Sequence, residues 1–262
     1  MLNRIATAKQ LEVLRLKSAV DKDTLMIKSK KFDLFSVFKN DSRLEIIAEL
    51  KKASPIKGVI CRSFDHLEIA RKYEQNGAAA VSVISDSKFF DGKTDYLREV
   101  REEIEIPILR KDFIIDQIQL YETLSLGADM VLLIAALHDY QDLLYLCEKS
   151  LEIGLEPLVE IHDAGEARVA LDLPVHMIGV NNRNLQDFTV DIKRSIELVN
   201  LIPDSFIKVS ESGIRTSEDL ALLETHGFDA VLIGEALVSD PCPGHKLKEL
   251  LQYERINRYD QG

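Results

Sequence analysis

Cysteine is scarce in this chain: 262 residues hold three, Cys61, Cys147 and Cys242. They are far apart, have no CxxC spacing and leave one thiol over under any pairing scheme. This excludes a disulfide framework and suits reduced thiols in a cytoplasm. No run of about 18 apolar residues occurs, so no membrane-spanning helix is expected. The start, MLNRIATAKQLEVLRLKS, lacks the continuous apolar core of a secretory signal. Positive charge is also in deficit, with 33 Lys and Arg against 44 Asp and Glu and a formal charge of -11. Such a surface repels nucleic-acid backbones and anionic lipid, so neither is expected as a partner. A few buried cations can still hold a small anionic substrate. The run Lys28, Lys30, Lys31 therefore reads as a solvated face. An acidic surface is compatible with a monomer and a dimer alike. His66, His138, His176, His226 and His245 make no metal-ligand spacing and no cysteine motif assists them, so no metal is expected. His162, alone in a loop, reads as a surface group rather than a catalyst. Low-complexity linkers and short-period repeats are missing as well, which leaves one domain over residues 1–262 as the default.

What the chain does have is a rhythm. Short runs rich in Val, Ile and Leu recur at 45–50, 79–85, 107–112, 129–135, 157–161, 176–182, 206–211 and 230–234, each followed by a longer charged stretch with helical periodicity. Strands that alternate with helices run parallel, and a parallel sheet is covered on both faces, which is why these runs are apolar almost throughout. Eight such units suit a closed (βα)8 barrel; the rhythm alone also allows an open doubly wound sheet. The length is typical of the barrel. Helices are expected over 64–78, 115–127 and 217–227, ending at Gly77, Gly127 and Gly227. An amphipathic stretch at 5–20 predicts a further helix, so residues 1–43 form an N-terminal helical extension and residues 44–262 the barrel.

Strand parity turns sequence into geometry, because residues two apart point the same way. Glu49 and Lys51 share a face. So do Leu109, Lys111 and Phe113; Leu158 and Glu160; Asn181 and Arg183; Val209 and Glu211. Any one of these charges could sit in solvent at the rim. Glu49, Lys51, Lys111, Glu160, Arg183 and Glu211 all fall at the same ends of their strands, however, and the carboxyl ends are where barrels of this kind build active sites. Unpaired charge at such positions costs several kcal/mol to desolvate, about the scale that calls for compensation by function. After the last two runs, SESGI (210–214) and LIGEAL (232–237) place Gly213 and Gly234 where a backbone can approach a ligand and present N–H groups to an anion. That pair of loops after strands seven and eight describes a phosphate site.

Taken together, IIAELKKASPIKG, SVISDSKFFDG, PILRKDFIID, GADMVLLIAA, EPLVEIHD, IGVNNRNL, VSESGI and LIGEAL resemble the successive motifs of the indole-3-glycerol phosphate synthase family, in order and over most of 45–237. Two departures are Ile56, where a small polar residue is common, and DGK at 91–93 in place of the usual GGS. The resemblance implies a phosphate-binding TIM barrel that converts 1-(2-carboxyphenylamino)-1-deoxyribulose 5-phosphate to indole-3-glycerol phosphate without a redox cofactor. It implies Lys111 as general acid, Glu160 as general base, and Lys51 as a second acid-base group that also holds the substrate. Glu49, Asn181 and Glu211 would shape and polarise the site, and Arg183 would position the substrate. Phe90, Phe113 and Leu132 would line the pocket for the anthranilate ring. Ser54, Ser212, Gly213, Gly234 and Glu235 would lie at the phosphate, the last two through their backbone. A sister barrel, phosphoribosylanthranilate isomerase, would place a cysteine and an aspartate at the mouth. A catalytically silent barrel would be expected to lose Lys51, Lys111 and Glu160.

Overall fold

The computed structural model describes residues 2–19, 32–39, 43–184, 187–242 and 244–259. The basic run at Lys28, Lys30 and Lys31 lies outside these described residues. Eight strands alternate with helices: β1 (Glu45–Leu50), β2 (Ala80–Ile84), β3 (Ile108–Lys111), β4 (Met130–Ile134), β5 (Glu156–Ile161), β6 (Met177–Asn181), β7 (Ile207–Glu211) and β8 (Ala230–Ile233). Each pairs in parallel with its neighbours, and β1 pairs with both β2 and β8, so the sheet closes on itself as a (βα)8 barrel. A two-stranded antiparallel hairpin, Ala53–Ser54 with Gly58–Val59, decorates the loop after β1.

Parity divides the core. Ile46, Ala48 and Leu50 point into the layer between sheet and helices. Ile47 points inward with Leu109, Leu132, Leu158, Val209 and Leu232 to fill the barrel axis. Burying a side chain of this size contributes about 1.5–3 kcal/mol, which holds the inward and outward faces in place. The helices expected at 64–78, 115–127 and 217–227 span His66–Gln75, Gln117–Ser125 and Ser217–Thr225. The first two are shortened at the front because Asp65 and Asp116 leave the helix to cap it with their side chains. Gly77, Gly127 and Gly227 follow the last turns with φ of 91°, 84° and 82°, a region closed to most side chains.

The N-terminal extension serves both ends of the barrel. Helix α1 (Leu2–Ala19) lies at the carboxyl ends of the strands, where Ile5 reaches the mouth and the ammonium of Lys9 meets Asp86 and Asp112 at 2.9 and 2.7 Å. Helix α2 (Leu34–Phe38) closes the opposite end: Phe38, 1 % exposed, joins the inward apolar cluster. Lys39 pairs with Asp229, just ahead of β8, at 3.0 Å. No helix among the described residues is long and apolar enough to cross a membrane.

Candidate active site

A cavity of about 190 Å³ opens at the carboxyl ends of the strands, and all fifteen residues singled out from the sequence line it. Parity accounts for the floor. Glu49, Glu160 and Glu211 follow the inward Ile47, Leu158 and Val209 on β1, β5 and β7, Asn181 follows Met177 and Gly179 on β6, and all four are buried. Lys111, the last residue of β3, sends its ammonium between two of them, 3.0 Å from Glu160 Oε2 and 3.2 Å from Glu211 Oε2. Lys51 stands one step above, its Nζ 3.5 Å from Glu49 Oε2 and 5.6 Å from the centre of the Phe90 ring.

The Lys111 ammonium, shared between Glu160 and Glu211, does not hold the two carboxyl groups alike. Burial alone would lower Lys111, but Glu160, Glu211 and Glu49 outweigh it and hold the ammonium well above the ordinary lysine range. Burial would raise Glu160, yet Lys111, His162 and Asn181 keep it well below the ordinary carboxylate range. Burial does raise Glu211, and Glu160 and Glu49 add to the effect against the pull of Lys111. Among the described residues neither oxygen of Glu211 completes a hydrogen bond, although both are buried. Buried acceptors left open on a cavity wall are ready to take a donor from a bound molecule. Carboxyl groups pushed in opposite directions are the arrangement by which a site keeps an acid and a base side by side.

Two walls rise from this floor. On one side Phe90 and Phe113 face each other at 6.1 Å between ring centres and 37° between planes, with Leu132 below them. That slot suits a planar aromatic group. On the other side are the glycine loops. Ser212 and Gly213 take φ of 68° and 84°, and a Cβ at Gly213 would come within 2.5 Å of Val190. At Gly234 a Cβ would strike Glu49 Oε2 at 2.1 Å, so glycine there is what lets the carboxylate lie against the backbone. The Glu235 side chain turns away to Lys57 and Arg215, at 2.5 and 3.1 Å, leaving the backbone of 234 and 235 toward the cavity. Ser54 accepts from the Lys57 N–H at 3.2 Å. Arg183, also on the cavity wall, donates to the Phe188 carbonyl of its own loop at 3.2 Å.

Several contributors escaped the sequence reading. A Cβ at Gly179 would meet Glu211 Oε1 at 2.3 Å, so this glycine in the middle of β6 makes the room that Glu211 occupies; an isolated glycine inside a strand is the available signal. Asn182, outward by parity, donates to the Ser212 carbonyl at 3.0 Å and so fixes the turn before Gly213. Asp86 accepts from the N–H groups of Phe89 and Phe90 at 2.6 and 3.2 Å and sets the short helix that carries Phe90. His162, expected on the surface, is enclosed instead, because Glu160 and Glu166 take its two ring nitrogens.

A closed parallel barrel with its polar, mixed-charge cavity at the carboxyl ends of the strands is an enzyme of the (βα)8 class. The chain belongs to the indole-3-glycerol phosphate synthase family, whose sequence model matches residues 2–250. It is 50% identical over 196 residues to the indole-3-glycerol phosphate synthase of Chloroherpeton thalassium, covering 75% of each chain. With that of Ruminiclostridium cellulolyticum the identity is 42% over 255 residues, covering 95% of this chain and 98% of the relative. Among solved structures, 3-hexulose-6-phosphate synthase from Salmonella typhimurium shares the fold with a TM-score of 0.66 at 14% identity, over 81% of this chain and 99% of that one.

Proposed function

We infer that the protein closes the indole ring, converting 1-(2-carboxyphenylamino)-1-deoxyribulose 5-phosphate to indole-3-glycerol phosphate, carbon dioxide and water. The observation that carries this reading is the Lys111 ammonium held between Glu160 and Glu211 on the floor of a cavity with an aromatic slot on one wall and two glycine loops on the other. The anthranilate ring enters between Phe90 and Phe113 over Leu132. The phosphate rests on the backbone N–H groups of Gly213, Gly234 and Glu235, with Ser54 and Ser212 beside it. Fixing both ends folds the chain between them so that the ring carbon bearing the carboxylate approaches the ketone carbon, which lowers the entropic part of the barrier.

As the carbon–carbon bond forms, the ketone oxygen takes a proton from the Lys111 ammonium. The carboxylate then leaves as carbon dioxide and its bonding pair restores the aromatic ring. The hydroxyl formed in the first step departs as water, with Lys51 assisting as acid while Glu160 accepts the proton that leaves the other side of the new double bond. Glu49, Asn181 and Glu211 shape the floor, and Arg183 orients the substrate at the mouth. No electrons are exchanged with an outside carrier, so the chemistry needs no redox cofactor. The three free cysteines support a reducing, cytoplasmic setting.

The direct test is turnover of the carboxyphenylamino substrate by the purified protein, with chelator present and nothing added, followed by the appearance of indole fluorescence. A folded sample that forms no indole product, or one that strictly requires a metal, overturns the reading.

A further inference from the structure

Glu160 and Glu211 stand at nearly equal distances from the same lysine, 3.0 and 3.2 Å, and both are buried. Lys111 therefore cannot be what separates a carboxyl held down from one held up. Apart from Asn181, the difference lies on the far side of Glu160. His162 Nε2 is 3.2 Å from Glu160 Oε1, an ion-pair contact rather than an aligned hydrogen bond. Its Nδ1 is 3.1 Å from Glu166 Oε2. Glu166 sits in the first turn of the helix Ala164–Leu171, and the same oxygen accepts the His162 backbone N–H at 2.7 Å, so ring and backbone are gripped together. The ring's side chain is 9 % exposed. Glu211 has no counterpart to this arrangement among the described residues.

We propose that His162, as an imidazolium clamped between Glu160 and Glu166, is the positioning residue that holds Glu160 as an oriented carboxylate, with Oε1 on the ring and Oε2 presented beside Lys111. This rests on the reading of Glu160 as the base. The groups around Glu160 are Glu49 and Lys51 on β1, Lys111 on β3, Asn181 on β6 and Glu211 on β7. Lys51 pairs with Glu49 and Lys111 is shared with Glu211, so the His162 ring is the positively charged contact that belongs to Glu160 and not to Glu211. Around the ring, Asp163 turns away to cap the helix Ala164–Leu171. The turn Ala135–Leu137, packed against that helix, brings no ionisable group. His138 beyond it interacts with Ile114, Asp139 and Asp142. Burial would lower His162, but Glu160 and Glu166 push it up to about 9. A ring with that affinity carries its charge throughout the neutral range.

Two measurements test the clamp. In the substrate-free wild-type protein, nitrogen NMR of the His162 ring should show both nitrogens protonated through neutral pH. The titration should fall toward the ordinary histidine value of about 6.5 in Glu166→Gln and in Glu160→Gln. Ordinary titration in the wild type overturns the proposal, and this readout stands whether or not the protein closes indole rings. In kinetics, His162→Gln keeps a donor but loses the charge, so the acid limb of kcat/KM should move up by about one pH unit or more, with activity recovering at higher pH. A loss of rate equal at every pH, with the limb in place, makes His162 a packing residue and also overturns the proposal.

Discussion

Arg110, Lys111 and Asp112 are consecutive, yet they belong to two buried charge clusters with opposite characters. Arg110 and Asp112 point away from the barrel axis, and there both are held by several hydrogen bonds each. Arg110 reaches Asp112 at 3.1 Å, Glu122 at 2.8 Å and Thr123 at 3.0 Å. Asp112 also takes Ser85 at 2.6 Å and Lys9 at 2.7 Å. Lys111 points inward, to a cluster on the cavity wall in which neither oxygen of Glu211 has a hydrogen-bond partner among the described residues. A saturated network rigidifies its surroundings, whereas one with vacancies can exchange protons with a ligand. The contrast shows that burial of charge does not by itself mark an active site; incomplete pairing on a cavity wall does.

The sharpest way to break this contrast is Arg110→Met. It leaves Asp112 and Glu122 short of a partner, and losing one member of a buried pair costs about 3–5 kcal/mol. Denaturant unfolding should show that loss, with kcat of the folded fraction largely kept. The converse is Lys111→Ala, expected to lower kcat by about 100-fold or more while the unfolding midpoint changes far less. Indole fluorescence and a urea curve on the same sample separate the two. If Lys111→Ala unfolds the protein, or Arg110→Met stops turnover in folded protein, the division between the clusters is wrong.

Acid should attack the saturated cluster gradually. Burial would raise Asp112, but Arg110 and Lys9 outweigh it and keep the folded-state carboxyl well below its ordinary range. The unfolded chain, with a value of about 3.9, then takes up this proton first. The contribution of Asp112 is fully present above that pH and is lost as the pH falls below it. Thermal melts from pH 6 downward should show this loss in the wild type and a flatter dependence in Asp112→Asn. The smallest effect is expected from Ser85→Ala, which removes one hydrogen bond to Asp112 and one from Arg110. It should cost about 1–2 kcal/mol in unfolding and leave kcat in place.

Much of this contrast was legible in the sequence. The eight apolar runs bracket the observed strands within a residue or two, and parity put Glu49, Lys111, Glu160 and Glu211 on the inner face because β-strands alternate without exception between bulges. Arg110 and Asp112 went unremarked in the sequence, because their meaning depends on Lys9, which lies on a helix far earlier in the chain whose docking no local pattern encodes. His162 was misread for the same reason: its enclosure comes from Glu166 reaching back from the next helix and from Glu160 turning one oxygen outward. The extension was legible as helical, while its split between the two ends of the barrel was not, since Phe38 is buried by inward residues contributed by many separate strands.

The alternation of Arg110, Lys111 and Asp112 also bears on how the chain finds its fold. A one-residue slip of β3 would carry both outer charges onto the barrel axis and push Lys111 among the aliphatic side chains under the helices. Neither Lys9 nor Glu122 could follow, and several charges would be stranded at once, at a cost of a few kcal/mol each, roughly the entire net stability of a domain. An all-aliphatic β3 would tolerate that slip far better, since either face would be greasy. The three-residue charge code therefore favours a single alignment of β3 over its neighbours, because every slipped alignment strands charge.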